Sequence, residues 1–510
     1  MKQKKINYLR IIRVALAFVF FTSITLLFLD VTGALHSYLG WMAKIQFLPA
    51  ALSLNVVIVA LLILLTLVFG RVYCSVICPL GVMQDIISWT RGKMKKKDRF
   101  RFKYVKEHKW LRYGMLVFFF VTLAFGVSAI SGFLAPYSVY GKIARNLFAP
   151  VYGLGNNLLA WVAERLDSYA FYSKEVWIWS LPAFIASAFM FILLFALAWI
   201  GGRTWCNNIC PVGTILGFFS RFSLLAPGID KSKCRGCGLC GKQCKCSCID
   251  MQNHVIDTSR CVSCMDCIST CNEGAIQYKL RYGKNQNAPQ ADKEEKAEIK
   301  TADTGRRAFL AGAAILGASA AQAQEKSLKE RLAPERTHKV AQRTVPLVPA
   351  GSVSLKHFTD HCTSCQLCVS TCPNNVLRPS SDLTRFMQPE MSYEKGYCRP
   401  ECTACSQVCP AGAILEVSPE EKSSVQIGHA VVDYSLCVVK TDSVHCGNCA
   451  KHCPAGAIKM VLSDPENPKS LRIPSVNEQK CIGCGACENL CPASPVSAIH
   501  VEGHEVHLTL

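Results

Sequence analysis

Six runs of four cysteines constrain this chain more than any other feature. Cys234, Cys237, Cys240 and Cys244 read C-x2-C-x2-C-x3-C, and Cys261, Cys264, Cys267 and Cys271 repeat the spacing. Cys362, Cys365, Cys368 and Cys372 precede Pro373, and Cys481, Cys484, Cys487 and Cys491 precede Pro492, with the same gaps. Two further runs are irregular: Cys398, Cys402, Cys405 and Cys409 open with a gap of three residues, and Cys437, Cys446, Cys449 and Cys453 with a gap of eight. Pro410 and Pro454 close them. In the bacterial ferredoxin pattern three cysteines of such a run hold one [4Fe–4S] cluster and the fourth holds its neighbour. The compact loop brings three thiolates to one face of a cluster, and the crossed ligand ties two loops together. Structural zinc uses cysteine pairs separated by a longer loop, and disulfides between such close neighbours are strained. The spacing therefore predicts six [4Fe–4S] clusters in α+β, bacterial-ferredoxin-type domains.

Crossing assigns one cluster to Cys234, Cys237, Cys240 and Cys271, and a second to Cys261, Cys264, Cys267 and Cys244. Lys245 and Asn272 stand where proline is usual, and Cys246 and Cys248 crowd Cys244. The last four runs follow the order regular, irregular, irregular, regular, which suggests nested pairing. That predicts the groups Cys362, Cys365, Cys368 with Cys491; Cys481, Cys484, Cys487 with Cys372; Cys398, Cys402, Cys405 with Cys453; and Cys437, Cys446, Cys449 with Cys409. Sequential pairing is the alternative, and it changes the partners without changing the ligands.

A chain of 510 residues is too long for one core, and half of its residues are hydrophobic. Residues 11–29, 52–69, 113–131 and 178–200 are apolar stretches long enough to cross a hydrocarbon layer of roughly 30 Å. Arg13 alone interrupts them with a charge, near enough to an end to snorkel. Trp177 and Trp179 flank one end of the fourth stretch, and Trp199 and Trp205 the other, as interfacial anchors do. Residues 91–112 hold eleven basic and two acidic side chains, a net +9 of the chain's +20. That concentration predicts a cytoplasmic loop, with the N-terminus and the segment after residue 200 on the same side, and it argues against a nucleic-acid surface. The fold expected is an α-helical membrane bundle of four spans joined to ferredoxin-type domains.

The bundle contains a repeat. Gly70, Arg71, Tyr73, Cys74, Ile77, Cys78, Pro79 and Gly81 follow the second stretch, and Gly202, Arg203, Trp205, Cys206, Ile209, Cys210, Pro211 and Gly213 follow the fourth. The shared pattern, G-R-x-Y/W-C-x-x-I-C-P-L/V-G, predicts two helix pairs related by a pseudo-two-fold axis along the membrane normal. Buried cysteines often only pack, but two matching C-x3-C-P pairs point to metal or redox thiols. Cys74, Cys78, Cys206 and Cys210 are candidates to hold iron or a cluster, or to cycle as dithiols.

Residues 283–303 have the polar composition of a linker. Arg306, Arg307, Phe309 and Leu310 then precede an Ala/Gly-rich run to Gln324, and Ala321-Gln322-Ala323 reads as a cleavage site. This 304–324 segment looks like an internal twin-arginine export signal and offers a fifth crossing. Folded cluster domains leave the cytoplasm only by a route that carries folded cargo. The division expected is 1–225 membrane domain, 226–282 two-cluster domain, 283–303 linker, 304–324 signal, 325–355 linker and 356–510 four-cluster domain.

On these motifs the chain resembles a fusion of two ferredoxins associated with periplasmic nitrate reduction. The part up to about Tyr282 is similar to the NapH-type four-span membrane ferredoxin. The part from about Thr304 is similar to the NapG/MauM-type exported four-cluster ferredoxin. The resemblance implies an inner-membrane quinol dehydrogenase component. It would draw on the quinol pool and pass electrons to a periplasmic reductase or cytochrome, with the two-cluster domain cytoplasmic and the four-cluster domain periplasmic. Quinol and an extra iron or cluster at the paired C-x3-C-P motifs are the further cofactors implied. The membrane half also resembles NosR- and CcoG-type polyferredoxins, whose role would be enzyme maturation or copper handling. A redox sensor ranks last, because no stretch remains for a signalling domain. No nucleophile triad, P-loop or dinucleotide fingerprint points to bond-making catalysis.

Overall fold

The computed structural model describes residues 7–29, 35–94, 101–168, 171–173, 176, 180–281 and 341–509. The 283–303 linker, the 304–324 signal, most of the 325–355 linker and the Trp177–Trp179 anchor lie outside the described residues.

Four helices of the bundle coincide with the apolar stretches, Tyr8–Leu29, Val56–Phe69, Lys109–Ala124 and Leu181–Gly201, and Pro79–Met94 and Ala149–Arg165 of 16 and 17 residues pack among them. The first and last of the four, of 22 and 21 residues, are long and apolar enough to cross a membrane. The other two differ from the expected spans. Residues 52–69 do not form one helix, because Asn55 caps a fresh start by accepting from the Ile58 amide at 3.2 Å, after Leu54 has turned to φ +55°. The remaining 14 residues rise about 21 Å. The third helix stops at Ala124, and Gly126 at φ +69° redirects the chain into the short Ser128–Leu134 helix. Arg13 does not snorkel either. It pairs with Asp85 at 3.2 Å, and both side chains are 12% exposed.

Short helices fold back between the long ones. Phe47–Leu52 leads into the second long helix, and Pro136–Ile143, with all eight residues buried, follows the third. Tyr140 of the latter holds Thr25 of the first long helix at 2.5 Å, Oη to Oγ1.

Two cysteine-rich units sit at opposite ends of the bundle. At one end, Arg10 pairs with Asp266 at 2.7 Å, the Phe69 carbonyl accepts from Tyr278 at 2.7 Å, and the Arg203 amide donates to the Lys245 carbonyl at 2.9 Å. These contacts seat residues 225–281, whose Leu225–Ile229 and Ile276–Leu280 strands pair antiparallel. At the other end, His36 meets Thr371 at 2.7 Å, Ser180 meets Ser381 at 3.2 Å, and the Phe133 and Phe386 rings stack at 6.3 Å. They seat residues 341–509, which contain the antiparallel pairs Leu377–Pro379 with Pro389–Met391, Val425–Val432 with Ile499–Thr509, and Ile458–Leu462 with Arg472–Val476. One contiguous buried core includes Cys248 of the first unit, Tyr73 and Tyr137 of the bundle, and Cys365 of the second unit.

Candidate iron–sulfur sites and the paired thiols

Each regular cysteine run folds into the same loop. The residues on both sides of the middle cysteine adopt positive φ: Gly236 and Gly238, Ser263 and Met265, Ser364 and Gln366, Gly483 and Gly485. The non-glycine cases cost about 1–3 kcal/mol each, so the turn is imposed by what it builds. Such turns aim successive backbone N–H groups into one concavity suited to negative charge. The Ser364 amide donates to Cys362 Sγ at 3.4 Å, and the amides of Val376, Ile414 and Ala457 donate to Cys372, Cys409 and Cys453 at 3.3–3.4 Å.

The thiols gather in fours. Cys240 lies within electrostatic reach of Cys234, Cys237 and Cys271, and burial pushes it up to about 11. Cys267 faces Cys264, Cys261 and Cys244. In both sets the fourth thiol comes from the other run. The second set borders a cavity of about 410 Å³ that Cys246 and Cys248 also line. Among the described residues no three Cys, His, Asp or Glu side chains close on a single metal ion. The thiols of the second set stand around one cavity, as a polynuclear cluster requires. Iron there would replace the protons that burial favours.

In the second unit the grouping corrects the nested expectation. Cys368 faces Cys362, Cys365 and Cys409, not Cys491. Cys405 faces Cys398, Cys402 and Cys372, not Cys453. Cys449 faces Cys446 and Cys491, not Cys409, and Cys437, Cys446, Cys449 and Cys491 line one cavity of about 380 Å³. Cys487 faces Cys481, Cys484 and Cys453, not Cys372, around about 290 Å³. Pairing is therefore sequential, within two tandem halves. The halves touch where the Cys398 amide donates to the Cys484 carbonyl at 2.9 Å. The site of Cys362 borders the bundle: a β-carbon on Gly141 would stand 2.3 Å from the Cys365 carbonyl oxygen, so only glycine allows this approach.

Sequence reasoning assigned no role to Cys248. Its sulfur lies 3.5 Å from that of Cys244. This hydrogen bond lowers Cys244 to about 7, against burial that would raise it. Hydrogen bonds to ligand sulfurs set cluster potentials. Cys248→Ala should leave the Cys244 site assembled and lower its reduction potential by roughly 20–60 mV, the one-electron equivalent of about 0.5–1.5 kcal/mol. A redox titration followed by electron paramagnetic resonance checks this, and an unchanged potential would contradict it.

The paired motifs come together with reciprocal bracing. Cys74, Cys78, Cys206 and Cys210 are all buried, and Cys210 lies within reach of the other three. Arg71 of the first copy donates to the Cys206 carbonyl at 3.2 Å, and Arg203 of the second donates to the Cys74 carbonyl at 2.6 Å. Glycine makes room for each guanidinium: a β-carbon at Gly213 would lie 2.8 Å from Arg71 Nη2, and one at Gly81 would lie 2.7 Å from Arg203 Nη1. The copies then diverge. Gln84 donates to Cys206 Sγ at 3.3 Å, whereas Leu216 occupies the equivalent position in the second copy. Both arginines, invariant within the repeat, could have been recognised from the sequence. Asp85, which binds Arg203 at 2.7 Å, could not, because Gly217 stands in its place in the second copy.

Toward the second unit, the Tyr73 hydroxyl donates to Gln46 at 3.0 Å, and Tyr137 lies within electrostatic reach of Tyr73, Cys365 and Cys409. Lys142, 1% exposed, has no hydrogen-bond partner and sits 3.9 Å from the Phe133 ring centroid, within reach of Cys362 and Cys365. A ring of four cluster-bound thiolates would supply the negative charge this buried ammonium lacks.

Comparisons with known proteins agree with this grouping. A "4Fe-4S dicluster domain" model matches residues 361–413 and 444–494, and a "4Fe-4S binding domain" model matches residues 54–97 and 183–229, the two copies of the repeat. The chain is 30% identical to the ferredoxin-type protein NapF of Escherichia coli over 156 residues, 31% of this chain and 86% of NapF. It is 26% identical to the ferredoxin-type protein NapH of the same organism over 243 residues, 46% of this chain and 70% of NapH. It is 28% identical to the methylamine utilization ferredoxin-type protein MauM of Methylobacillus flagellatus over 166 residues, 32% of this chain and 70% of MauM. No solved structure matches. Thiol groups, family models and relatives together place the chain among the ferredoxin-type [4Fe–4S] electron-transfer proteins, the family of NapF, NapH, MauM and MauN.

Proposed function

We propose that this chain is a multi-pass inner-membrane protein that oxidises quinol and conducts the electrons toward a periplasmic reductase or cytochrome. In this reading it fuses a NapH-like half with a NapG/MauM-like half and carries six [4Fe–4S] clusters. The observation that carries the reading is the direct seating of the Cys362 site on the end of the bundle, where Gly141 admits the Cys365 backbone. Electrons released at that end of the bundle meet an acceptor site at once. Tandem pairing, with the Cys398–Cys484 contact, continues the path through the remaining three sites. When bound, the clusters supply one-electron acceptors. The protein's own part is to hold the thiols, bury them and aim N–H groups at their sulfurs.

The placement of the two units at opposite ends of the bundle favours a cytoplasmic side for residues 226–281 and a periplasmic side for residues 356–509. The copper-handling alternative fits less well. Cys74, Cys78, Cys206 and Cys210 are only 3–4% exposed and braced by two arginines, so a cargo metal would have no ready access. A short-chain quinol added to anaerobic, cluster-loaded protein should bleach the cluster absorbance. If dithionite bleaches the clusters and quinol does not, the reading is wrong.

A further inference from the structure

Two buried lysines stand against the thiol groups of the first tandem half, and neither has a carboxylate partner among the described residues. Lys142 comes from the bundle, on the same short helix as Gly141. A β-carbon built on Gly132 would lie 3.1 Å from Lys142 Nζ, 2.9 Å from the Thr363 carbonyl oxygen and 3.4 Å from Ser364 Oγ. The ammonium is thereby packed against the segment between Cys362 and Cys365, within electrostatic reach of both thiols. Lys422 comes from the unit itself and is 7% exposed. Its Nζ donates to Cys398 Sγ at 3.3 Å and to the Arg399 carbonyl at 2.6 Å.

The second half is built differently. Among the described residues of 425–509 no lysine or arginine is buried. Arg343, which donates to the Val501 carbonyl there, is neutralised by Glu488 at 2.5 Å. The cysteine loops differ as well. Ser364 and Gln366, both fully buried, take the positive-φ positions that Gly483 and Gly485 take in the second half. Ser364 Oγ and Gln366 Nε2 have no hydrogen-bond partner among the described residues, and a buried donor is costly unless something accepts from it. Reduction adds one negative charge to a cluster, so a buried cation and unused donors beside it favour the reduced form. We infer that Lys142 and Lys422 set the sites of the first half at higher reduction potentials than those of the second, so that electrons entering the unit settle first beside the bundle. Lys142 acts on the Cys362 site and Lys422 on the Cys398 site, each through its charge and neither as a ligand. The inference rests on the reading of these thiol groups as [4Fe–4S] sites and does not depend on what donates the electrons.

The test is a redox titration of the full-length, cluster-loaded protein with dithionite, followed by electron paramagnetic resonance. The signal missing from Cys409→Ala identifies the Cys362 site, and the signal missing from Cys491→Ala identifies the Cys437 site. In the unmodified protein the first should reduce at the higher potential. Lys142→Met, which removes the charge and keeps a long side chain in its place, should lower the midpoint of the Cys362 signal by about 59 mV, a tenfold change in the ratio of reduced to oxidised site for one electron. The Cys437 signal should not move. Lys422→Met should shift a second signal and leave the Cys362 signal alone. Full iron content with every potential unchanged in both lysine variants would overturn the inference. If Lys142→Met fails to hold the Cys362 cluster, the order in the unmodified protein still decides, and a Cys437 site that reduces first contradicts the inference. Unmodified protein without iron and sulfide would overturn the cluster reading itself.

Discussion

Asp85→Ala should cost about 3–5 kcal/mol, because it leaves three buried cations facing one another without their shared carboxylate. Asp85 binds Arg203 at 2.7 Å, Lys245 at 2.8 Å and Arg13 at 3.2 Å. Those side chains belong to the second copy of the repeat, the first cysteine-rich unit and the first long helix, so one residue fastens three parts of the molecule. Lys245 retains Asp266 at 3.2 Å, but Arg203 has no other carboxylate partner among the described residues. The expected result is release of residues 225–281 by limited proteolysis at neutral pH, with the second unit still protected. Burial alone would push the Asp85 carboxyl up. Arg203, Lys245 and Arg13 outweigh it and hold the group well below the usual carboxylate range. A group depressed in the folded state contributes stability that is full above its unfolded pKa, about 3.9, and is lost only as pH falls through the folded value. Wild-type protein should therefore keep this attachment at pH 5. Release of the unit at pH 5 in wild type, or a resistant Asp85→Ala variant at pH 7, would contradict the account.

The thiol sets of single loops were legible in the sequence because the geometry that forms them is local. Three cysteines in seven residues can converge only if the chain turns through the left-handed region twice, and the run itself fixes where. That is why Ser263, Met265, Ser364 and Gln366 take the same φ as the glycines at the matching positions. Which run supplies the fourth thiol is a tertiary question, and motif order was a poor guide to it. Each tandem half folds around its own two runs, and the wide gap before Cys446 is absorbed in a loop around Ser443 at φ +54° without changing partners. Hydropathy likewise marked the apolar stretches but not their breaks. Asn55 and Gly126 interrupt helices by capping and by backbone conformation, and a window average does not register either. Arg13 was misread for a related reason, since its partner Asp85 lies 72 residues away and nothing local announces the pair.

Sequential pairing makes Cys409 and Cys491 opposite tests. Cys409→Ala should strip the fourth ligand from Cys362, Cys365 and Cys368, and Cys491→Ala should strip it from Cys437, Cys446 and Cys449. A cluster deprived of one thiolate in these short loops has no neighbouring cysteine to recruit, because Cys372 and Cys453 serve the adjacent sites. Iron content should fall by about one cluster in each variant. Alkylation with a maleimide, read by mass spectrometry, should then mark Cys362, Cys365 and Cys368 in Cys409→Ala and leave Cys437, Cys446 and Cys449 protected. The pattern should reverse in Cys491→Ala, and nested pairing demands the opposite assignment in both variants. The two losses should also differ in consequence. The Cys362 site is the one seated on the bundle, against Gly141, so under the proposed quinol reading its loss cuts the path before the other three sites are reached. Cys437 and its partners line a cavity in the last tandem half, away from the bundle, and belong to a separate apolar core. Quinol should therefore fail to bleach the three clusters that Cys409→Ala retains in this unit, while dithionite still does. The three that remain in Cys491→Ala should respond to quinol as in the unmodified protein, since the break lies beyond them.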